Sequence, residues 1–91
     1  MREAVIEELR RKAAGLPLQS GVYLMKNADG KIIYVGKSRA LKNRVSQYFQ
    51  DSEKDAKTAA MVSCVRDFDY MLTSSEIEAL NLENRLIKLH K

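Results

Sequence analysis

The stretch Gly21-Val22-Tyr23-Leu24-Met25-Lys26-Asn27-Ala28-Asp29-Gly30-Lys31-Ile32-Ile33-Tyr34-Val35-Gly36 decides the reading of the fold. Two runs rich in β-branched and aromatic residues flank a turn made of Asn, Asp and Gly, which is the composition of a β-hairpin. Strands are expected over 21–26 and 31–35, with Gly36 breaking the second. If residues 27–30 form the loop, Lys26 faces Lys31 and Tyr23 falls directly opposite Tyr34, so two phenols share one face of the sheet. A two-residue Asp29-Gly30 turn shifts the register but keeps them on one face, whereas an odd-length loop separates them. Tyrosine is also an ordinary strand residue, and taken alone the pair reads more readily as packing than as a site.

Outward from the hairpin, residues 2–14 read as a helix with Val5, Ile6, Leu9 and Ala13 near one side, ended by Gly15 and Pro17. After Gly36, Ser38 is the expected N-cap of a helix running to about Phe49. Its apolar stripe is Leu41, Val45, Tyr48 and Phe49, with Arg44 at the stripe's edge. A polar loop over 51–57 leads to a short helix around 56–64 carrying Ala60, Met61 and Cys64. Residues 67–72 alternate polar and apolar, as a strand with one buried face does. The last helix starts near Thr73 to Ser75, where both Thr73/Glu76 and Ser75/Glu78 fit a capping box. The order is α-β-β-α-α-β-α, an α+β domain with a small three-stranded antiparallel sheet flanked by helices. Residues 1–91 form a single domain, with 1–15 as an N-terminal helix and 16–91 as the core.

The 91 residues suffice for one modest core. At 45% apolar and 31% charged, the composition is neither disordered nor membrane-like. No apolar run approaches the roughly 20 residues of a membrane span, and Met1-Arg2-Glu3-Ala4 opens no secretory signal. Cys64 is the single cysteine, which excludes an internal disulfide and suits the reducing cytoplasm. Its apolar context reads as core filler. One Cys and one His leave no zinc site. The formal net charge of +4 is concentrated: Lys26, Lys31, Lys37, Arg39, Lys42 and Arg44 fall in a window whose one acid is Asp29. Such a patch beside aromatics fits an anionic partner, nucleic acid first, or equally a solvated basic face.

The last helix carries the sharpest sign. At about 100° per residue, Ala79, Leu80, Leu82, Leu86, Ile87 and Leu89 sweep one apolar arc with Glu83 near its centre. A carboxylate buried without a partner is costly, so Glu83 demands a cation, a metal or a proton. A structural ion pair with Arg44 or Lys37 would serve as well. Glu76 shares the arc but sits at the helix start, where a capping role suffices, and His90 reads as a frayed surface residue.

Gly21-Val22-Tyr23, Tyr34-Val35-Gly36-Lys37, Arg44 and the run Ser75 to Glu83, in that order, resemble the GIY-YIG endonuclease family, and within it the N-terminal domain of UvrC, the incision subunit of bacterial nucleotide excision repair. The likeness spans about residues 16–91. It implies a metal-dependent DNA endonuclease that cuts on the 3′ side of a lesion. It implies Glu83 as the sole protein ligand of one Mg²⁺ or Mn²⁺, in keeping with a hard cation that retains most of its waters. Tyr34 resembles the family's general base, with Tyr23 as helper; Lys37 beside a phenol would lower its pKa. Arg44 would neutralise charge growing on the phosphate, and Lys37, Arg39, Lys42 and Arg44 would hold DNA. Implied partners are damaged double-stranded DNA and, through other parts of a longer protein, UvrB and the UvrA–UvrB system.

Two departures stand out. The family usually has Asn two residues after the metal-binding Glu, where Arg85 stands here, on the outer face of the helix. The family also continues into a Pro-x-Tyr-Asn segment beyond the position of Lys91, so the chain is expected to be a fragment of a longer protein. Two rival readings remain: a non-catalytic nucleic-acid-binding domain on the same fold, and a stand-alone or homing-type GIY-YIG endonuclease.

Overall fold

The computed structural model describes residues 2–90. In chain order the elements are α1 (Arg2–Ala14), β1 (Gly21–Lys26), β2 (Ile32–Ser38), α2 (Leu41–Phe49), α3 (Ala56–Cys64), β3 (Asp67–Leu72) and α4 (Glu76–Leu89). The three strands form one antiparallel sheet, as expected; their order is β2-β1-β3, with β1 in the centre. No described helix is long and apolar enough to cross a membrane.

β1 is apolar on both faces, and the alternation of its side chains makes two cores. Tyr23 and Met25 point to one face, where they meet Leu9 and Ala13 of α1, Leu41, Val45 and Phe49 of α2, and Phe68 of β3. Phe49 and Phe68 stack there with ring centroids 5.9 Å apart. Val22 and Leu24 point to the other face, where Val35 joins them under Ala79 and Leu86 of α4. The sheet is therefore sandwiched, with α1 and α2 on one side and α4 on the other. α1 is pinned to β3 by Lys12, whose ammonium donates to the Asp67 carboxylate at 2.7 Å and the Phe68 carbonyl at 2.5 Å.

The hairpin differs from its expected register. Tyr23 pairs with Gly36, and Tyr34 pairs with Met25. The cause is local. Asn27 closes the turn by accepting the Asp29 and Lys31 amides on its side-chain oxygen, both at 3.0 Å, and Gly30 takes a φ of 79°. A bulge between Met25 and Lys26 absorbs the extra residue. The phenols still share a face, but diagonally. Nor does Gly36 break β2, which runs on to Ser38 because Gly21 and Val22 pair with its last two residues.

Other expectations yield to tertiary contacts. Ser38 does not cap α2. Its hydroxyl accepts the Ala40 amide, and Ala40 takes the N-cap position without a side-chain bond. The helix's first free amides, from Leu41 and Lys42, donate instead to the carbonyls of Gln19 and Pro17. Cys64 is exposed, not core, and Val62 and Val65 fill the space below α3. β3 buries only Phe68, since Tyr70 and Leu72 lie beyond the cover of α1 and α2. On α4 the cap is Ser75, which accepts the Glu78 amide at 3.1 Å while the Glu78 carboxylate reaches back to Ser74. Glu76 is left free of capping and pairs with Arg39 across the interface. Of the expected apolar arc, Ala79 and Leu86 are buried and Leu82 is half-buried, while Leu80, Ile87 and Leu89 are exposed.

Candidate active site

The site is organised by Tyr23, which is 1% exposed although it carries a hydroxyl. A buried phenol needs a partner, and Tyr48 supplies it at 2.7 Å between the two oxygens. The diagonal register brings Tyr34 to the same place. Ring centroids lie 6.1 Å apart for Tyr23 and Tyr34, 5.7 Å for Tyr23 and Tyr48, and 6.4 Å for Tyr34 and Tyr48. These three phenols form a triangle in which Tyr34 is the exposed corner, at 39%. Glycine at position 36 makes the triangle possible. A Cβ there would collide with Cζ and the hydroxyl of Tyr23. Gly21 is similarly confined, against the Met71 carbonyl and the Leu41 side chain.

Arg44, exposed on α2, lays its guanidinium 5.9 Å from the Tyr48 ring centroid, beside the phenols. The neighbouring Tyr23 phenol holds Arg44 above its ordinary pKa. Burial pushes the Tyr23 phenol well up, Tyr48 adds to the rise, and Arg44 opposes it. Tyr34 is also pushed up, first by burial and then by Tyr48, with partial relief from Tyr23 and Arg44. The expectation that Lys37 lowers a phenol's pKa is therefore overturned. Lys37 pairs with Val22 and so projects to the face of α4, away from Tyr23, and the cation beside the phenols is Arg44.

Tyr48 was missed in the sequence. It stands one helical turn after Arg44 within the apolar stripe, where an aromatic reads as packing. The available signal was its polar tip: a tyrosine at the edge of a stripe, one turn from an arginine, can direct its hydroxyl toward that arginine's partners.

The opposite face carries the carboxylate. Glu83 is half-buried on α4, as expected, between Ala79 and Leu86. Among the described residues it makes no ion pair, so neither Arg44 nor Lys37 neutralises it. Leu80, three residues before it, lines a cleft with Lys37 and Arg39. Ile87, four residues after it, lines a cleft with Tyr34 and Val35. Glu83 therefore lies on the stripe of α4 that follows the outer edge of β2. Tyr34 faces the phenol triangle and also lines the cleft that Ile87 borders. Arg39 is engaged by Glu76, and Lys42 lies on the first turn of α2, half-buried. The basic set is thus divided between the two faces.

No group of three or more metal-binding side chains exists among the described residues. A cation here would take one carboxylate from the protein and oxygens from water or phosphate for the rest. That donor set suits Mg²⁺ or Mn²⁺ and does not suit zinc.

A family model described as the UvrC-like GIY-YIG domain matches residues 19–91. UvrABC system protein C of Caldicellulosiruptor saccharolyticus is 52% identical over 83 residues, which cover 91% of this chain and 14% of that protein. The Bdellovibrio bacteriovorus protein of the same name is 49% identical over 92 residues, covering 100% of this chain and 15% of its own. The chain thus spans about one-seventh of such relatives. Among solved structures, the GIY-YIG N-terminal endonuclease domain of UvrC from Thermotoga maritima, bound to magnesium as its catalytic divalent cation, superposes with a TM-score of 0.80 at 32% identity, over 92% of this chain and 91% of that one. A Tyr→Phe variant of that domain with its catalytic cation superposes with a TM-score of 0.81 at 31% identity, over 92% and 90%. Fold and likeness together define the class as an endonuclease domain of GIY-YIG type. Within that class the chain belongs to the UvrC-like GIY-YIG family.

Proposed function

We propose that this domain hydrolyses a DNA phosphodiester on the 3′ side of a lesion in nucleotide excision repair, using one Mg²⁺ or Mn²⁺ held by Glu83. The observation that carries the reading is the presence, in one small domain, of a phenol–arginine cluster on one face of the sheet and, on the helix over the other, a half-buried carboxylate that has no cation partner among the described residues.

The chain's own residues divide the work. Tyr34, the exposed phenol, accepts the proton of the attacking water. Its raised pKa means that it rests protonated at neutral pH, so it becomes a base only when cations and substrate assemble around it. Tyr23, buried and bonded to Tyr48, orients Tyr34 and Arg44 and does not itself ionise. Arg44 meets the charge that grows on the phosphate oxygens. Bound at Glu83, the divalent ion would acidify water and stabilise the leaving oxygen. Lys37, Arg39 and Lys42 hold the DNA backbone, without reading bases, because a lesion enzyme cannot depend on sequence. Damaged duplex DNA is the substrate, the UvrA–UvrB system delivers it, UvrB is the direct partner through segments outside this domain, and the cytoplasm is the place of action.

A nicking assay tests this. End-labelled duplex carrying one lesion, loaded with UvrA and UvrB, is incubated with a protein containing this domain and Mn²⁺. The expected product is a nick 3′ to the lesion that disappears in Glu83→Ala. A nick of unchanged yield in Glu83→Ala would overturn the metal assignment.

A further inference from the structure

β3 is an edge strand whose second half is bare. Tyr70, Met71 and Leu72 are 41%, 44% and 45% exposed. Tyr70 and Leu72 share the face of the sheet that carries Tyr23, but lie beyond the cover of α1 and α2. Met71 lies on the other face, where α4 packs on β1 and β2 and stops short of β3. Three consecutive large apolar side chains are therefore left without a covering layer. Proteins ordinarily blunt such an edge with lysine, proline or a bulge. β3 has neither lysine nor proline, and it pairs with β1 without a bulge. Its acids do not blunt it either, because Asp67 is paired with Lys12 and Asp69 with Lys26. The edge is thus locally neutral on a chain whose formal net charge is +4, so a second copy meets little repulsion there.

The backbone leaves the same segment open. The Thr73 amide donates to the carbonyl of Ser20, which continues the β1–β3 register by one residue. Antiparallel ladders alternate, so Met71 and Asp69 also turn their amides and carbonyls toward β1. Phe68, Tyr70 and Leu72 turn theirs outward. The Phe68 carbonyl is taken by the Lys12 ammonium at 2.5 Å. Among the described residues, no hydrogen bond from a loop or a side chain reaches the outward groups of Tyr70 and Leu72. The outer edge therefore offers an amide and a carbonyl on each of these two residues, flanked by the bare apolar side chains.

We propose that this edge pairs with the same edge of a second copy of the chain, antiparallel about a twofold axis at Met71. Tyr70 then lies opposite Leu72 of the second copy, and Leu72 opposite its Tyr70, and each pair exchanges both hydrogen bonds. On one face each Tyr70 ring lies beside a Leu72, and on the other Met71 meets Met71. All three exposed side chains find apolar partners, and Asp69 falls opposite Thr73, so no acid meets an acid. The neighbouring registers are blocked. An axis at Tyr70 sets Leu72 against Phe68, whose carbonyl Lys12 holds. An axis at Leu72 sets Tyr70 against Ser74, whose amide Glu78 holds. The product is one continuous sheet with β2 at both outer edges, which leaves Tyr34 and the cleft it lines open in each copy. Three residues a side is far below the roughly 20–30 of a standard interface, so the dimer is transient and forms at high concentration.

Sedimentation equilibrium of the chain, run from about 10 μM to about 1 mM, should show a dimer fraction that grows with concentration. Met71→Glu sets two carboxylates face to face across the axis. It should raise the dimer dissociation constant about tenfold while the melting temperature of the dilute chain stays unchanged. Cross-linking tests the register without relying on that variant. In a Cys64→Ser background, Met71→Cys should oxidise to a disulfide-linked dimer, because directly opposite residues of a non-hydrogen-bonded pair come within bridging reach. Tyr70→Cys in the same background should stay monomeric on oxidation, since its two copies stand two residues out of register. A chain that remains monomeric at the highest concentration would overturn the proposal. So would a dimer indifferent to Met71→Glu, or cross-linking through Tyr70→Cys in place of Met71→Cys.

Discussion

The ring of Tyr23 lies flush against the backbone of Gly36, its cross-strand partner, so closely that no side chain can occupy position 36. This contact links the one tyrosine of β1 to the one glycine of β2. It explains why both are needed: the glycine makes room for the ring, and the ring carries the hydroxyl to Tyr48.

Gly36→Ala should therefore displace a ring that is 1% exposed and has nowhere to go. Overpacking of this kind costs about 1–3 kcal/mol. Urea unfolding should show the loss, and cleavage should fall with it as the phenol cluster opens. A variant with wild-type stability would show that the ring can move.

Glu83→Gln separates a metal ligand from a structural group. Half-buried and without a cation among the described residues, the carboxylate lends the metal-free fold nothing. The variant should melt at or above the wild-type temperature without metal. Mn²⁺ at about 100 times its dissociation constant should stabilise the wild type by about 2.7 kcal/mol and the variant not at all. A lower melting temperature in metal-free Glu83→Gln would indicate a structural role instead.

The phenols give the protein a limit in alkali. The folded pKa of Tyr23 is raised above the ordinary 10.0, so the native state holds that proton more tightly than the unfolded chain. Its contribution to stability is complete below pH 10.0 and is lost as the pH climbs from there toward the folded value. Denaturation midpoints should be flat on the neutral side and fall above pH 10.0, with a shallower fall in Tyr23→Phe. An equal fall in the variant would place the titrating group elsewhere.

Tyr34 shifts in the same direction, which sets the pH profile of cleavage. With Tyr34 as base, the rate should rise tenfold per pH unit across neutrality and show no plateau before pH 10.0 unless bound metal lowers the phenol's pKa. Tyr34→Phe should remove cleavage and spare DNA binding. Full activity in that variant would reject Tyr34 as the base.

Arg39 and Glu76 pair in the open, with side chains 84% and 55% exposed. Such pairs contribute at most about 1 kcal/mol to stability. Arg39→Ala should leave melting nearly unchanged but weaken DNA binding and reduce its salt slope by about one. Glu76→Gln should free Arg39 and tighten binding. Tighter DNA binding by Arg39→Ala would remove Arg39 from the interface.

Much was legible in the chain because it rests on local periodicity. The strand-rich composition on either side of the Asn27–Gly30 turn, the 3.6-residue stripe of α1, and the Ser75/Glu78 cap each depend on residues close in sequence. So does the half-burial of Glu83, which follows from the neighbours one turn away on its own helix. The motif residues, read in order, also sufficed to place the chain in its family. What failed was not carried by periodicity. Pairing beyond Gly36 depended on the bulge at Met25 and on how Asn27 closed the turn, and one residue of slip changes every partner. Ser38 lost its cap to carbonyls of residues 17 and 19, which lie across the sheet's end.

By itself, then, the sequence determined the elements, the hairpin, and the presence of a carboxylate in an apolar stripe, because all of these are local or periodic properties of the backbone. Only the tertiary structure decided that Tyr48 completes the cluster, that Arg44 and not Lys37 is the phenols' cation, and that Glu83 approaches from the opposite face. Those outcomes depend on which faces of separate helices meet the two sides of one sheet. Packing sets that choice, since buried apolar area is non-directional along the chain and becomes specific only when the layers close.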